Sequence, residues 1–256
     1  MNNEEIKKIT LDACPGCDGM IRKGVRVSSD GTLESCQCAK DFTRYSLYNA
    51  ADVEAEYWKM TLEDFDPAFL KTNQQSLRTV KFLLENLQTC VINNVQIVLY
   101  GRNGLGKTVT AYQILMRLLD TGLSGRYFTA PRLAELTFKD EEGALQDLLS
   151  RDFVVIDELD KFSGRNVEAL MRLSNLLCET MRHCSVVFIT NQPAEELKLL
   201  GYSNSFLSRL SALDWLEFKG TNLRRSNQTK LAELMETIGK NKIEVTKGKK
   251  VKKQKP

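Results

Sequence analysis

The stretch Leu99-Tyr100-Gly101-Arg102-Asn103-Gly104-Leu105-Gly106-Lys107-Thr108 decides the fold. It fits the phosphate-binding pattern G-x-x-x-x-G-K-[ST]. Ahead of it, Gln96-Ile97-Val98-Leu99-Tyr100 is apolar and β-branched, which predicts a strand. Behind it, apolar residues recur at helical spacing over 109–119. Strand, loop and helix in that order are the context a P-loop needs. Gly101, Gly104 and Gly106 permit a tight turn whose N–H groups converge on phosphate oxygens, with Arg102, Asn103 and Leu105 between them. The helix N-terminus adds positive partial charge at the same point. Lys107 is expected to reach the β- and γ-phosphates of a nucleotide, and the Thr108 hydroxyl to help hold Mg²⁺.

Working outward, Phe153-Val154-Val155-Ile156-Asp157-Glu158 runs four apolar residues into two acids. The apolar run predicts a strand buried on both faces, and its C-terminal end is where α/β sheets place ligands. Asp157 is expected to bind Mg²⁺, directly or through water, and Glu158 to orient or deprotonate the attacking water. Ser185-Val186-Val187-Phe188-Ile189-Thr190-Asn191 repeats the strand-then-polar pattern. Asn191 is placed to hydrogen-bond the nucleophilic water or the γ-phosphate.

Alternating strands and helices imply an α/β protein with a parallel sheet of five strands flanked by helices. Helices are predicted over 68–87, from Pro131 to about Phe138, up to Leu149 after a charged loop at 139–143, over 166–182, and over 203–211. A second strand is expected at Arg126-Tyr127-Phe128-Thr129 and a last one over 212–219, with a final helix over 229–238. The extra strand carrying Asp157 between the P-loop strand and the strand ending at Asn191 suggests the additional-strand branch of P-loop proteins. The one histidine, His183, has no nucleophile context nearby, which argues against triad-type hydrolase chemistry.

Four of the seven cysteines, Cys14, Cys17, Cys36 and Cys38, lie close together as C-x₂-C-x₁₈-C-x-C. Pro15-Gly16 and Asp18-Gly19 give the first pair a tight turn, and short strands are expected between the pairs. Four thiolates can close a tetrahedral Zn²⁺ site, a staple that so small a segment needs. Free thiols or a redox C-x₂-C are the alternatives, although a redox pair would not need Cys36 and Cys38. Cys90, Cys178 and Cys184 sit among apolar residues and read as core. The connector over 41–65 holds Tyr45, Tyr48, Tyr57 and Trp58, which could pack on the next domain or stack on bases.

At 42% hydrophobic the chain can bury a core. No apolar run reaches the length of a membrane span, and Met1-Asn2-Asn3-Glu4-Glu5 lacks a secretory pattern. A cytoplasmic protein with reduced thiols is expected. Charge is uneven: 239–256 carries eight lysines and one glutamate, against a net charge of +3 for the chain, so the body is mildly acidic. The basic tail is expected to be disordered, serving either salt-sensitive phosphate contacts or solubility. The expected domains are a zinc-binding module at 1–47, a connector at 48–67, the ATPase at 68–238 and the tail at 239–256.

Taken together, these motifs resemble the AAA+ ATPases of the DnaC/DnaI helicase-loader and IstB group. The resemblance covers most of 14–225. It rests on Cys14-Pro15-Gly16-Cys17-x-Gly19 with Cys36-x-Cys38, Tyr57-x₃-Thr61-Leu62-Glu63-Asp64-Phe65, the P-loop, Val155-Ile156-Asp157-Glu158 and Ile189-Thr190-Asn191. It continues with Ser208-Arg209-Leu210 and Phe218-x-Gly220-x₃-Arg224. It departs at Leu207, where many loaders carry an acid. The resemblance implies a five-stranded AAA+ sheet with a zinc-ribbon-like N-terminal module. It makes Asn191 the sensor-1 residue and Arg209 an arginine finger acting on ATP in a neighbouring subunit, hence self-association through the ATP site. Arg224, or the adjacent Arg225, becomes a second sensor arginine in cis. It further implies weak ATP hydrolysis stimulated by DNA or partner, a cysteine module that grips a replicative DnaB-type helicase, and delivery of that helicase to single-stranded DNA. The competing readings are an IstB-type transposition helper acting on duplex DNA with a transposase, which typically lacks the cysteine module, and a non-catalytic ATP-gated binding module.

Overall fold

The computed structural model of the chain describes residues 1–17, 24–29, 31–162 and 167–223. The N-terminal segment holds α1 (Asn3–Lys7), an antiparallel hairpin of β1 (Val25–Val27) and β2 (Leu33–Ser35), and α2 (Gln37–Ala50). The hairpin lies between the cysteine pairs, as expected. The expected connector over 41–65 is helical as far as Ala50, because α2 starts within the second cysteine pair, with Cys36 at its N-cap. The far end of α2 is tied to a later helix by Arg44 and Tyr48, which donate to Asp120 Oδ1 at 2.9 and 2.8 Å. Tyr45 and Trp58 stack on each other with centroids 5.1 Å apart, and the Trp58 indole donates to Val53. These aromatics serve packing.

The single helix expected over 68–87 is three: α3 (Pro67–Thr72), α4 (Gln74–Glu85) and α5 (Leu87–Ile92). The first break falls at Asn73, whose side chain is recruited by a distant strand end. Its Nδ2 donates to Lys219 O at 2.9 Å and its Oδ1 accepts from Lys219 N at 2.7 Å. Ser76 adds a bond to Glu217 O at 2.7 Å. One amide thus imitates a strand partner and closes an otherwise open sheet edge.

That sheet comprises β3 (Gln96–Tyr100), β4 (Gly125–Thr129), β5 (Phe153–Asp157), β6 (Ser185–Thr190) and β7 (Asp214–Glu217). The strands are parallel in the order β4-β5-β6-β3-β7. Every position of β5 and β6 is buried, which fits their unbroken apolar sequences and helices on both faces. In space, β6 stands between β3 and β5. The register pairs Tyr100 with Thr190 and Ile156 with Phe188, so the three strands end at nearly one level. This brings Gly101, Asn191 and Asp157 to the same rim.

One face of the sheet is covered by α4, α5 and α6 (Lys107–Asp120). The other receives α7 (Ala130–Lys139), α8 (Glu141–Leu149) and α9 (Val167–His183), then the short α10 (Ala194–Leu197) and α11 (Asn204–Ser211). The charged stretch 139–143, expected as a loop, opens α8. Asp140 caps it by accepting from Gly143 N, and Glu141 and Glu142 favour the positive end of the helix. Asn166 and the helix expected over 229–238 lie outside the described residues, as does the basic tail. Residues 1–220 cluster as one compact unit. No described helix is long and apolar enough to cross a membrane.

Asn73 is only 2% exposed, so truncating it strands two backbone groups at the sheet edge. Asn73→Ala is expected to lower unfolding stability by about 2–3 kcal/mol. Urea denaturation of the variant beside Gln75→Ala, an exposed neighbour, checks it.

Candidate nucleotide and metal sites

The loop between β3 and α6 follows from its glycines. Gly101, Gly104 and Gly106 take φ of 139°, 76° and 72°, a region side chains disfavour. Gly101 is the most constrained, because a Cβ there would lie 2.3 Å from Phe218 O. Phe218 N donates to Tyr100 O at 2.8 Å, so β7 crosses directly over the start of the loop. Leu105 is buried beneath it, while Arg102 and Asn103 are exposed.

Lys107 opens α6 and is 5% exposed. Its ammonium donates to Gly101 O at 2.6 Å, Arg102 O at 2.9 Å and Asn191 Oδ1 at 3.0 Å. Next to it, Thr108 Oγ1 donates to Asp157 Oδ2 at 2.7 Å. A lysine, a hydroxyl and a carboxylate from three elements therefore meet at the helix N-terminus. Oxygen ligands from Thr108 and Asp157 side by side are a donor set that suits Mg²⁺, a hard cation.

Glu158 follows with φ of 60°, an unfavourable backbone for a glutamate. Its N–H donates back to Asp157 Oδ1 at 2.6 Å, and Leu159 N donates to Ile189 O at 3.2 Å. The turn after β5 is thus fastened to the end of β6. It also carries Asp160, which takes Asn191 N–H at 2.8 Å and Asn191 Nδ2 at 2.7 Å.

Two residues at this rim escape motif reading. Asp160 is one. The other is Tyr127 of β4, whose hydroxyl donates to Asp157 Oδ2 at 3.1 Å. Burial, and then the Asp157 charge, hold the Tyr127 phenol far above its usual range, so it remains a neutral donor. The ring of Tyr127 packs 4.9 Å from that of Tyr112, and its backbone N–H donates to Ala51 O at 3.0 Å. The signal for Tyr127 is strand alternation; Asp160 offers only its place as the third acid in Asp157-Glu158-Leu159-Asp160.

At the other end of α2, the Sγ atoms of Cys14, Cys17, Cys36 and Cys38 all lie within 4.8 Å of one another. Cys14 and Cys36 are 3.7 Å apart, and Cys17 and Cys38 3.4 Å. A tetrahedral Zn–S site with bonds of ~2.3 Å has edges of ~3.8 Å, so the set fits zinc. The Cys38 backbone N–H, foremost, draws the Cys36 thiol down to about 7, whereas burial raises Cys17 and Cys38. Cys90, Cys178 and Cys184 are buried elsewhere, as expected of core residues. His183 pairs with Glu179 on the surface.

Arg209 lies on α11, half-buried, and its side chain makes no hydrogen bond or ion pair among the described residues. It does not join the cluster around Lys107. Arg224 and Arg225 lie outside the described residues.

Residues 97–212 match the family model described as ATPase family associated with various cellular activities (AAA). With the sheet and rim above, residues 97–212 form a P-loop ATPase domain of AAA+ type, DnaC/DnaI-like in fold. Among solved structures, the chain resembles the DnaC helicase loader at 19% identity and TM-score 0.52, over 65% of this chain and 100% of that one. It resembles DnaI at 19% identity and TM-score 0.51, over 67% and 94%. It resembles AMPPCP-bound DnaA from Aquifex aeolicus at 19% identity and TM-score 0.53, over 73% and 56%. The chain thus spans about half the length of the initiator structure and nearly all of the two others. No curated protein sequence matches.

Gly101→Ala forces either the loop or β7 to move, since the obstructing atom is backbone. The variant is expected to lose at least about 2 kcal/mol of stability and to bind ATP more weakly. Thermal unfolding with and without ATP measures both effects.

Proposed function

We propose that the protein is an ATP-dependent loader of a replicative, DnaB-type helicase, placing it on single-stranded DNA. The observation that carries this reading is a four-cysteine module joined by one helix, α2, to the P-loop helix of an AAA+ ATPase. The extent of the match to the DnaC helicase loader, the whole of that structure, supports it.

In this reading the N–H groups of 101–108 and Lys107 hold the ATP phosphates. Thr108 and Asp157 would hold Mg²⁺, which neutralises phosphate charge when bound. Glu158 polarises the attacking water, and its strained backbone aims it from the end of β5. Asn191 hydrogen-bonds the attacking water or the γ-phosphate. Arg209, whose side chain has no partner among the described residues, acts on ATP in a second copy, which couples turnover to assembly. Arg224 takes the sensor role in cis. Cys14, Cys17, Cys36 and Cys38 would bind zinc, which holds the hairpin of β1 and β2 against the start of α2. The exposed Val27 and Leu33 on that hairpin offer apolar surface for the helicase.

The test is size-exclusion chromatography of the full chain with a purified DnaB-type helicase. Co-elution is expected from protein carrying about one zinc per chain, and its loss after zinc removal, with ATP binding retained. Co-elution with a transposase and not with helicase would replace the loader by a transposition helper. Absence of zinc under reducing conditions would remove the metal from the account.

A further inference from the structure

The carboxamide of Asn191 lies between two fixed charges. Lys107 Nζ, which can only donate, is 3.0 Å from Oδ1. Asp160 Oδ2, which accepts when ionised, is 2.7 Å from Nδ2. A flipped amide would set NH₂ against an ammonium and an oxygen against a carboxylate. Only one orientation satisfies both neighbours, so the two charges determine the amide assignment.

Asp160 does more than face the amide. Its second oxygen takes the backbone N–H of Asn191 at 2.8 Å, so one carboxylate grips both ends of a single residue. Asp160 is itself held by the turn that follows β5. Lys161 N donates to Glu158 O at 3.0 Å, and the buried Tyr202 hydroxyl donates to Leu159 O at 2.9 Å. The clamp therefore connects the strand end bearing Asp157 and Glu158 to the strand end bearing Asn191.

From this geometry we infer that Asp160 is a positioning residue which fixes Asn191 with its oxygen toward the phosphate site, so that Asn191 works there as an acceptor. Sequence reading left Asn191 two roles, toward water or toward the γ-phosphate. Of the two N–H bonds of the carboxamide, one is given to Asp160 Oδ2. The carbonyl oxygen accepts from Lys107 and keeps a second lone pair for the proton of an attacking water. Through that lone pair Asn191 steers the attacking water, while Lys107 and the loop amides carry the phosphate binding. The inference rests on Asn191 belonging to the ATP site.

The experiment uses the full chain, with MgATP affinity and steady-state turnover measured separately. Asp160→Asn preserves shape and the bond to Asn191 N, but opposes one NH₂ to another. It is expected to lower kcat at least about tenfold, the loss of one charge-assisted hydrogen bond, with ATP Kd changed less than about twofold. The double variant Asp160→Asn/Asn191→Asp restores a donor–acceptor pair with its polarity reversed and keeps an oxygen toward Lys107. Its kcat is expected to recover to within about threefold of the parent. Turnover of Asp160→Asn close to the parent, a parallel loss of ATP affinity, or a double variant no faster than the single would each overturn the proposal. ATP binding without turnover in the parent would instead refute the hydrolytic reading of the site, and the proposal with it.

Discussion

A buried ammonium sets the terms for the rest of this structure. Lys107 is 5% exposed, and a charge removed from water must be fully hydrogen-bonded or the fold loses several kcal/mol. Its partners are Gly101 O, Arg102 O and Asn191 Oδ1. Each imposes a further condition. The two carbonyls face inward only in a loop whose glycines take positive φ, and Gly101 can lie under Phe218 only without a side chain. Asn191 offers an oxygen only because Asp160 holds its other end. The sheet supplies the common level, since Tyr100 pairs with Thr190 and Ile156 with Phe188. In the proposed function the same ammonium exchanges carbonyl partners for phosphate oxygens, so the constraint on folding and the means of binding are one group.

The N-terminal module reaches this rim through continuous structure. α2 begins at the second cysteine pair and ends on Asp120, the last residue of the P-loop helix. Just beyond it, Ala51 O accepts from Tyr127 N, while Asp52 accepts from Arg126 at 2.9 Å. Tyr127 then donates to Asp157. The four cysteines and the Asp157 carboxylate are thus joined by a helix, an ion pair and a tyrosine.

The parts legible in the sequence are those whose meaning is local. Gly101 to Thr108 announce themselves by spacing, and β5 and β6 by apolar runs ending in polar residues. The four cysteines are legible for the same reason, and Cys90, Cys178 and Cys184 read correctly as core. Asp160 is not legible, because its partner lies on another strand, 31 residues away. Nor is the break at Asn73, which depends on Lys219 O, 146 residues on. The stretch 139–143 is different. Its loop reading came from counting charges, while the helix cap at Asp140 and the acids after it were local signals that favour a helix start. In α2, the cysteines mask a helix that packs on α1 and is tied to Asp120.

The central claim is that Lys107, Thr108, Asp157 and Asn191 form one site for MgATP. Isothermal titration of the full chain and of Lys107→Ala with MgATP addresses it directly. The account predicts saturable binding by the parent and an affinity roughly 100-fold lower in the variant, the loss of charge-assisted bonds to phosphate. Equal affinity in the two proteins would contradict it.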